Sequence, residues 1–266
     1  MSGSSLIARA FDSSAADYDR HEANTIRRWV RAFMRERLGA LFQSGDTVLE
    51  LNCGTGDDAV FLARRGVRVR AVDASAAMIA LLRGKVEREG LGGLIESSVL
   101  ANEDVSALRG RRYDGAFSNF GLNYVRDPAA LAEDLCPLVK PGGAFSCALA
   151  SRYCFFEMAA LSAQWELREA FRRQAFRPER RFANGAHVPV YYPRAGVLVE
   201  AFSGAFKVEA IHGLGVLIPP PYLSGFYTRH AKLFGVMHAL ENRIRSRFPF
   251  SRLGDGLLLE FRRHSE

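Results

Sequence analysis

The sequence predicts an α/β fold in which a doubly wound sheet carries helices on both faces. Five apolar segments, at about 47–51, 67–72, 95–100, 115–119 and 144–150, alternate with stretches of helical periodicity, as they do in parallel sheets of this kind. The first apolar segment runs into a glycine-containing turn and then into a helix. Because such sheets bind ligands at the carboxyl ends of their strands, we expect a site just after residue 51.

The turn at 52–56 has the composition of a nucleotide-binding loop. Gly54 and Gly56 lack a Cβ, so the backbone there can take positive φ and bring its N–H groups against a ligand. These groups lie at a helix N-terminus, where the helix dipole favours an anion. Asp73 follows the second predicted strand, roughly 20 residues beyond the turn, where a carboxylate typically binds ribose hydroxyls.

Two interpretations of this loop are open from its residues. Residues 54–59, GTGDDA, satisfy the G-x-G-x-x-G/A pattern of dinucleotide-binding enzymes, which would indicate a nicotinamide- or flavin-dependent oxidoreductase. The wider context, LELNCGTG at 49–56, resembles the first motif of the class I S-adenosylmethionine-dependent methyltransferases. Further matches follow in that family's order: LARRGVRV (62–69), VDAS (72–75) with Met78, EDVSAL (103–108), YDGAFSNFGLNYV (113–125) and LVKPGG (138–143).

This resemblance implies a Rossmann-like, seven-stranded methyltransferase sheet and S-adenosylmethionine as the cofactor. Segments 206–211 and 256–261 then resemble the sixth and seventh strands. One position departs from the motif, because Asn52 stands where the family usually has its first glycine. Asparagine tolerates the left-handed region better than other non-glycine residues, so we expect the turn to form.

The resemblance also implies which residues contact the cofactor. It places Glu50 behind the methionine end, Asp73 on the ribose and Asp104 on the adenine amino group. The turn lines the methionine end through Asn52, Cys53, Gly54 and Gly56. The remaining implied contacts are Ala74 and Met78 beside the adenosine, the Val105 N–H on the adenine ring, Asn119 and Phe120 beside the sulfonium, and Tyr18, in the segment 8–19, as a lid.

Several of these residues also have a purely structural interpretation. An acidic residue at a strand end, such as Asp73, often caps the next helix. An aspartate before a polar loop, such as Asp104, is often part of a solvated turn. Met78 stands at helical spacing, where methionine is commonly a core residue.

We expect a single domain, 1–266, with four parts: an N-terminal helical cap at 1–45, a cofactor-binding core at 46–151, a lid insertion at 152–205, and C-terminal strands with a basic insertion at 206–266. The lid is too long for an ordinary connection and follows the fifth strand, next to the ligand-binding edge. Its larger apolar side chains either line an acceptor pocket or belong to the core: Phe155, Phe156, Met158, Trp165, Phe171 and Phe176.

The chain is basic, with a formal net charge of +7 and a pI of about 9.5. A positive charge of this size attracts polyanions, so a nucleic-acid methyltransferase is a rival interpretation. The D/N-P-P-Y/F box of amino-methylating enzymes is absent, however, because its position reads SNFGLN (118–123). The basic insertion, which lies between the sixth and seventh predicted strands, is then either a solvated face or a surface for an acidic carrier protein or an anionic membrane. It holds Arg229, Lys232, Arg243, Arg245, Arg247 and Arg252 against Glu241.

The remaining composition excludes several classes of protein. No apolar run reaches the roughly 18 residues that span a bilayer, and the N-terminus lacks the pattern of a signal peptide, so we expect a cytoplasmic protein. Cys53, Cys136, Cys147 and Cys154 have no C-x-x-C spacing, which indicates reduced thiols. The sequence contains no His–Cys cluster and no H-E-x-x-H segment, so we expect no metal site.

The resemblance to the class I methyltransferases implies a methyltransferase acting on O, N or C of an apolar or aromatic small molecule. A secondary metabolite, a carrier-bound acceptor and an anionic acceptor all fit this class. If the acceptor atom is a hydroxyl oxygen, a general base would help. The candidates are His212 beyond the sixth strand, His187 in the lid, and Tyr192. A protein that binds the cofactor without catalysis is the remaining alternative.

Overall fold

A computed structural model describes residues 3–22, 24–174, 179–182, 184–223 and 229–265; Phe176 of the predicted lid lies outside them. The helices are α1 (Gly3–Glu22), α2 (Thr25–Leu41), α3 (Asp57–Ala63), α4 (Ala76–Glu89), α5 (Pro128–Leu135), α6 (Phe155–Ala163), α7 (Leu167–Ala170), α8 (Ala195–Phe202) and α9 (Ala231–Ile244). The strands are β1 (Thr47–Leu51), β2 (Arg68–Asp73), β3 (Ile95–Val99), β4 (Tyr113–Asn119), β5 (Val139–Ala150), β6 (Glu179–Arg181), β7 (His187–Pro189), β8 (Phe206–Leu214) and β9 (Gly256–Arg263).

Seven of the described strands form one sheet, in the order β3-β2-β1-β4-β5-β9-β8. Strands β1 to β5 run parallel, whereas β9 is antiparallel to both of its neighbours, β5 and β8. The predicted seven-stranded α/β sheet is therefore confirmed. It is a mixed sheet, and the parallel arrangement predicted from the sequence holds for its first five strands.

Helices cover both faces of this sheet. On one face, α2, α3 and α4 pack against β1, β2 and β4, and the largest buried side chains of this cluster are Leu38, Phe42, Leu82 and Phe117. On the other face, α5 and α8 pack over a second cluster. The rings of Phe145, Phe202 and Phe261 stack at its centre, with centroids 5.0 to 6.0 Å apart. Burial of each such ring contributes on the order of 2 kcal/mol to the free energy of folding.

The order of the strands creates a crevice between β1 and β4. Strand β1 pairs with β2 on one side and with β4 on the other, so the connections leaving β1 and β4 diverge to opposite faces of the sheet. Leu51 at the end of β1 lies in register with Ser118 near the end of β4. In open α/β sheets this reversal point is where ligands bind.

The segment 152–205 differs in two respects from the predicted helical and loop-like lid. It contains the antiparallel pair β6 and β7, each of three residues, which are too short to show a period-two pattern in the sequence. Its last helix, α8, packs Leu198 and Phe202 into the sheet core. The insertion described by the structure therefore ends before Ala195 rather than at residue 205.

The basic insertion between β8 and β9 contains α9. The buried carboxylate of Glu241 accepts hydrogen bonds from the N–H groups of Gly215, Leu217 and Ile218 at 2.9, 3.1 and 3.1 Å. These bonds fix α9 to the chain that leaves β8. Among the described residues, no helix has the length and apolarity needed to cross a bilayer.

A buried ionic contact joins β9 to the cap helix α2. Arg37 donates from Nε to Oε1 and from Nη2 to Oε2 of Glu260, both at 2.8 Å, and His212 Nε2 lies 4.0 Å from the same carboxylate. Burial acts to raise the pKa of Glu260, but the hydrogen bond from Arg37 and the proximity of His212 outweigh it and lower the pKa to about 2.

We expect Glu260→Gln to remove part of the protein's sensitivity to acid. The folded-state pKa lies below the ordinary value of 4.5, so the ionised carboxylate stabilises the fold above about pH 4.5 and loses this effect as the pH falls towards 2. This group would contribute up to about 3 kcal/mol of acid dependence to the free energy of unfolding. Urea unfolding at a series of pH values measures it.

Glu209→Gln is the matched control, because Glu209 forms an exposed pair with Arg262 at 2.9 Å and exposed pairs contribute little. The control should follow the parent protein at every pH. Identical acid limbs for the parent protein and Glu260→Gln would contradict the prediction.

Candidate functional site

The turn that follows β1 has a left-handed backbone at three positions. Asn52, Gly54 and Gly56 have φ of 55°, 54° and 78°. Ser118 Oγ donates to Asn52 Oδ1 at 3.1 Å, which ties the turn to β4. Gly121 packs directly against Asn52, because a Cβ on Gly121 would lie 2.2 Å from the Asn52 Cβ. The expectation that asparagine replaces glycine here without loss of the turn is confirmed.

Asp73, at the end of β2, holds this turn to the next helix. Its Oδ2 accepts from the Gly54 N–H at 2.9 Å, and its Oδ1 accepts from the Ser75 N–H at 2.8 Å. Burial raises the pKa of the Asp73 carboxyl, and the two N–H groups oppose this rise. Asp73 also lines the cleft beside the turn, so one carboxylate has both the capping role and a position facing a ligand.

A cleft lies at the carboxyl edge of the sheet, and we call it the carboxyl-edge cleft. The turns after β1 and β2 form one wall, with Asn52, Gly54, Asp73, Ala74, Ser75 and Met78. The segments after β3 and β4 form the other, with Ala101, Asn102, Glu103, Asn119, Phe120, Gly121 and Tyr124. Helix α1 adds Ile7, Ala8, Phe11 and Tyr18.

Asp12 attaches helix α1 to the wall of the cleft that is formed by the turns after β1 and β2. Its Oδ1 accepts from Ser75 Oγ at 2.5 Å and from the Ala77 N–H at 3.1 Å. Ser75 Oγ in turn accepts from the Met78 N–H at 3.1 Å. Asp12 and Ser75 together therefore cap the first turn of α4, and α1 covers the cleft.

Asp58 links the second cap helix to the cleft. It is buried and accepts from Arg35 Nε at 2.8 Å, from Arg31 Nη1 at 3.3 Å and from Asn119 Nδ2 at 2.9 Å. Burial acts to raise the pKa of Asp58, but the two arginines and Asn119 outweigh it and lower the pKa. Because Asn119 lines the cleft, α2 orients a cleft side chain through Asp58.

Glu50 is buried in β1, close to these acidic groups. Burial raises its pKa well above the usual range, the charges of Asp58 and Asp73 add to this rise, and Arg31 opposes it. Its Oε2 has no hydrogen-bond partner among the described residues. The raised pKa favours the uncharged acid, so Glu50 would ionise only if a positively charged group lay close to it.

The structure brings most of the predicted cofactor contacts together. The residues of that set that line the cleft are Tyr18, Asn52, Gly54, Asp73, Ala74, Met78, Asn119 and Phe120. Glu50, Cys53 and Gly56 do not line the cleft. Cys53 is buried, with its N–H donating to the Val72 carbonyl at 3.0 Å, and Gly56 precedes α3 and packs against Leu82.

The segment after β3 differs from the prediction. Asp104 is exposed and Val105 is buried in the core, whereas Asn102 and Glu103 line the cleft. Strand β3 ends at Val99, and a 3₁₀ turn begins at Asn102. The first polar side chains of this turn line the cleft, two residues before the predicted pair.

His212, the first predicted general base, lies away from the cleft. It is buried in β8, where Nδ1 is 2.7 Å from Ser246 Oγ and the ring packs edge-on against Phe33 of α2. These contacts join the sheet to α2 and to the end of α9. The prediction rested on the distance of His212 from the strand end, whereas the neighbouring helices determine the environment of its ring.

The other two predicted bases also lie outside the cleft. His187 is exposed on β7, and its Nδ1 is 3.3 Å from Glu179 Oε2 of β6. Tyr192 follows β7, with the Arg173 guanidinium 5.7 Å from its ring. Burial raises the pKa of Tyr192, and Arg173 opposes this rise. Neither side chain lines the cleft.

Aromatic residues that the sequence analysis did not select form the outer end of the cleft. The Phe11 ring packs edge-on against Tyr124 and Phe182, with centroids 5.2 and 5.1 Å apart. Arg180 Nη1 donates to Tyr124 Oη at 3.0 Å, and its guanidinium lies 4.8 Å from the Phe182 ring. The only signal for Phe11 and Tyr124 was their position in the segments 8–19 and 113–125.

A second polar cluster lies between the lid and β9. Ligand-type atoms of Cys154, Glu157 and Asp255 lie within 4.8 Å of one another. The Arg173 guanidinium bridges both acids, with Nη2 at 2.7 Å from Glu157 Oε2 and 2.6 Å from Asp255 Oδ1, and Arg172 also contacts Glu157. Burial raises the pKa of Cys154 to about 12. The cluster is therefore an ion-pair contact that anchors the lid.

Comparison with known proteins finds a matching family model and a set of similar curated proteins. A family model described as a methyltransferase domain matches residues 18–194. A ubiquinone biosynthesis O-methyltransferase of Acinetobacter baumannii (strain ACICU) is 31% identical over 139 residues, which are 52% of this chain and 56% of the relative. The corresponding protein of Xylella fastidiosa (strain 9a5c) is 28% identical over 60% of this chain and 64% of its own. The matches thus span somewhat over half of the curated relatives' length.

Solved structures agree at the level of the fold. The DhpI–SAH complex superposes with a TM-score of 0.57 at 18% identity, covering 100% of both chains. Geranyl diphosphate C-methyltransferase from Streptomyces coelicolor A3(2), in complex with Mg²⁺, geranyl diphosphate and S-adenosyl-L-homocysteine, gives a TM-score of 0.56 at 16% identity. That match covers 88% of this chain and 78% of the other.

We expect Gly56→Ala to destabilise the protein strongly. A Cβ at this position would lie 2.1 Å from Leu82 Cδ1, and the backbone has φ of +78°. Steric overlap and backbone strain together should lower the free energy of unfolding by about 3 kcal/mol. Denaturant unfolding measures the loss.

Gly90→Ala separates the two causes, because Gly90 has a similar φ of +67° but no atom within 4 Å of its Cβ position. This control should lose only about 1 kcal/mol, from the backbone alone. Equal losses in the two variants would show that Leu82 imposes no steric constraint.

Proposed function

This chain belongs to the class I S-adenosylmethionine-dependent methyltransferases, and on that premise we propose that it methylates a hydroxyl oxygen of an apolar or aromatic small molecule. The carboxyl-edge cleft is the observation that carries the proposal. It has polar walls at the ends of β1 and β2 and an aromatic end at Phe11 and Tyr124. Membership of this family overturns the oxidoreductase interpretation of the glycine turn.

The cleft residues fit S-adenosylmethionine. Asp73 would bind the ribose, and Asn102 and Glu103 would face the adenine edge, whereas Glu50 does not line the cleft and would act from behind it. S-adenosylmethionine supplies a methyl group that is already activated on a positively charged sulfur. The task left to the chain is to bind, orient and exclude water, and α1, attached through Asp12, covers the cleft for that purpose.

The aromatic end of the cleft suits an apolar acceptor ring. Phe11 and Tyr124 present apolar surface with fixed relative orientation, because they pack edge-on at 5.2 Å. Phe120 lines the same cleft and has φ of +61°, a conformation that costs a bulky residue on the order of 1–3 kcal/mol. Strain of this kind concentrates at functional positions, which supports a contact between Phe120 and the acceptor.

An oxygen acceptor is favoured by a hydroxyl group at this end of the cleft. Arg180 donates to Tyr124 Oη, so the Tyr124 O–H proton is left to bond the oxygen of a phenolate acceptor, whose own proton has passed to water, and to hold it in line. The C–O bond then forms as the C–S bond breaks, and S-adenosylhomocysteine leaves. The A. baumannii and X. fastidiosa relatives are named O-methyltransferases, which supports the same choice. We assign acceptor positioning to Tyr124 in place of His212, His187 and Tyr192.

The proposed reaction is tested with radiolabelled S-adenosylmethionine, a fractionated small-molecule extract and a set of phenols and catechols. We expect label in an apolar aromatic product, with mass spectrometry placing the methyl group on oxygen. Parallel reactions with RNA and DNA should remain unlabelled. Label found in nucleic acid, or on nitrogen or carbon alone, would overturn the proposal.

We expect Asp73→Asn to weaken the binding of S-adenosylhomocysteine by about tenfold or more, equivalent to about 1.4 kcal/mol. An amide has one acceptor oxygen, so either the Gly54 N–H or the Ser75 N–H loses its partner. Calorimetric titration measures the affinity. Asp127→Asn is the control, because Asp127 caps α5 in the same way, accepting from the Ala129 and Ala130 N–H groups, and does not line the cleft. Unchanged affinity in Asp73→Asn would contradict the assignment.

We expect Tyr124→Phe to lower kcat/KM for the identified acceptor by about tenfold, the effect of losing one directed hydrogen bond. The affinity for S-adenosylhomocysteine should stay within about twofold of the parent protein, because the hydroxyl serves the acceptor. Tyr191→Phe is the control, since Tyr191 is exposed and lies outside the cleft. Equal kcat/KM in the two variants would remove Tyr124 from the proposal.

A further inference from the structure

Helix α9 presents an apolar stripe to the outside of the molecule. Leu233, Val236 and Leu240 are 50%, 67% and 47% exposed, and their spacing of three and four residues places them on one face of the helix. Beyond the helix, the Phe248 ring is 77% exposed. Large apolar side chains grouped in this way mark an interaction surface.

The opposite face fixes the orientation of α9. Phe234 is buried in a cluster with Ile26 and Ile218, Glu241 accepts three backbone hydrogen bonds, and the Arg245 guanidinium lies 4.3 Å from the Phe33 ring. These contacts hold the helix by its inward side, so the stripe stays outward.

Positive charge surrounds the stripe. Lys232 and Arg243 are exposed on the same helix, and Arg247 follows its last turn. Arg252 is also exposed, with its guanidinium 5.7 Å from the Phe248 ring. The only carboxylate of residues 229–254 is Glu241, which is buried and bonded on the inward side, so this segment presents no exposed acidic group.

We propose that the face formed by Leu233, Val236, Leu240 and Phe248, with Lys232, Arg243, Arg247 and Arg252 around it, docks on an anionic lipid surface. An amphipathic helix of this kind lies in the plane of the interface, with its apolar side chains among the acyl chains and its basic side chains at the headgroups. The long basic side chains can reach the headgroups while their stems stay among apolar groups.

The residues favour a lipid surface over two other occupants. A second copy of this chain would bring the same four basic side chains against each other, and like charges across an interface are unfavourable. Single-stranded nucleic acid is bound by basic grooves that carry aromatic stacking platforms, whereas the centre of this face is aliphatic. The proposal is independent of the acceptor, since α9 contributes no residue to the carboxyl-edge cleft.

Vesicle sedimentation with the full chain tests the proposal. The probes are vesicles of phosphatidylcholine alone and vesicles in which about one third of the lipid is phosphatidylglycerol. We expect the protein to pellet with the anionic vesicles only, and to be released as the salt concentration rises, because the attraction is screened. The combined substitution Leu233→Gln, Val236→Gln and Leu240→Gln should lower the partition coefficient by about tenfold or more, since binding scales with buried apolar area.

Two matched variants isolate the face. Arg243→Gln with Arg247→Gln should bind less tightly and depend less on salt, whereas Val197→Gln, which replaces a half-exposed valine on α8, should behave as the parent protein. Equal unfolding midpoints and equal affinity for S-adenosylhomocysteine verify that every variant is folded. A parent protein that stays in the supernatant, or a triple variant that pellets as well as the parent, overturns the proposal. So does binding confined to an acidic protein or to nucleic acid, or a dimer that the triple variant dissociates.

Discussion

The carboxylate of Asp73 is the constraint on which the cleft depends. Its two oxygens accept from the Gly54 and Ser75 N–H groups, and so it joins the turn after β1 to the first turn of α4. The turn has three left-handed residues within five positions, including Asn52, whose conformation costs on the order of 1 kcal/mol on its own. Hydrogen bonds that an ionised carboxylate accepts are about twice as strong as those between neutral groups, and two of them hold this backbone in place.

Two aspartates attach the cap helices to the same edge of the sheet, one from the cap and one from the core. Asp12 of α1 reaches Ser75 and Ala77 at the start of α4, whereas Asp58 at the start of α3 accepts from the arginines of α2. Both contacts use helix N-termini, where negative charge is favourable. The cap and the cleft therefore form one hydrogen-bonded unit, and a change in α2 is transmitted to Asn119 through a single side chain.

The sequence predicted features set by local geometry better than features set by packing between distant segments. The roles of Asn52, Gly54 and Asp73 in the turn follow from φ preferences and from the spacing of strand and carboxylate. The residue facing the cleft after β3 depends on where the strand stops, and the structure places Asn102 and Glu103 there, two residues before Asp104 and Val105. Tyr124 and Arg180 meet only because the short hairpin of β6 and β7 folds back over the cleft, and three-residue strands leave no periodic signal.

The position of β9 has a consequence for how the chain is made. This strand follows the other described strands in the sequence, yet it lies between β5 and β8 in the sheet, and β8 pairs with no other described strand. Until residues 256–263 leave the ribosome, both β5 and β8 present open hydrogen-bonding edges, which are sites of intermolecular pairing. A nascent chain of this protein would be most prone to aggregation, and most dependent on chaperones, in the interval between synthesis of β8 and arrival of β9.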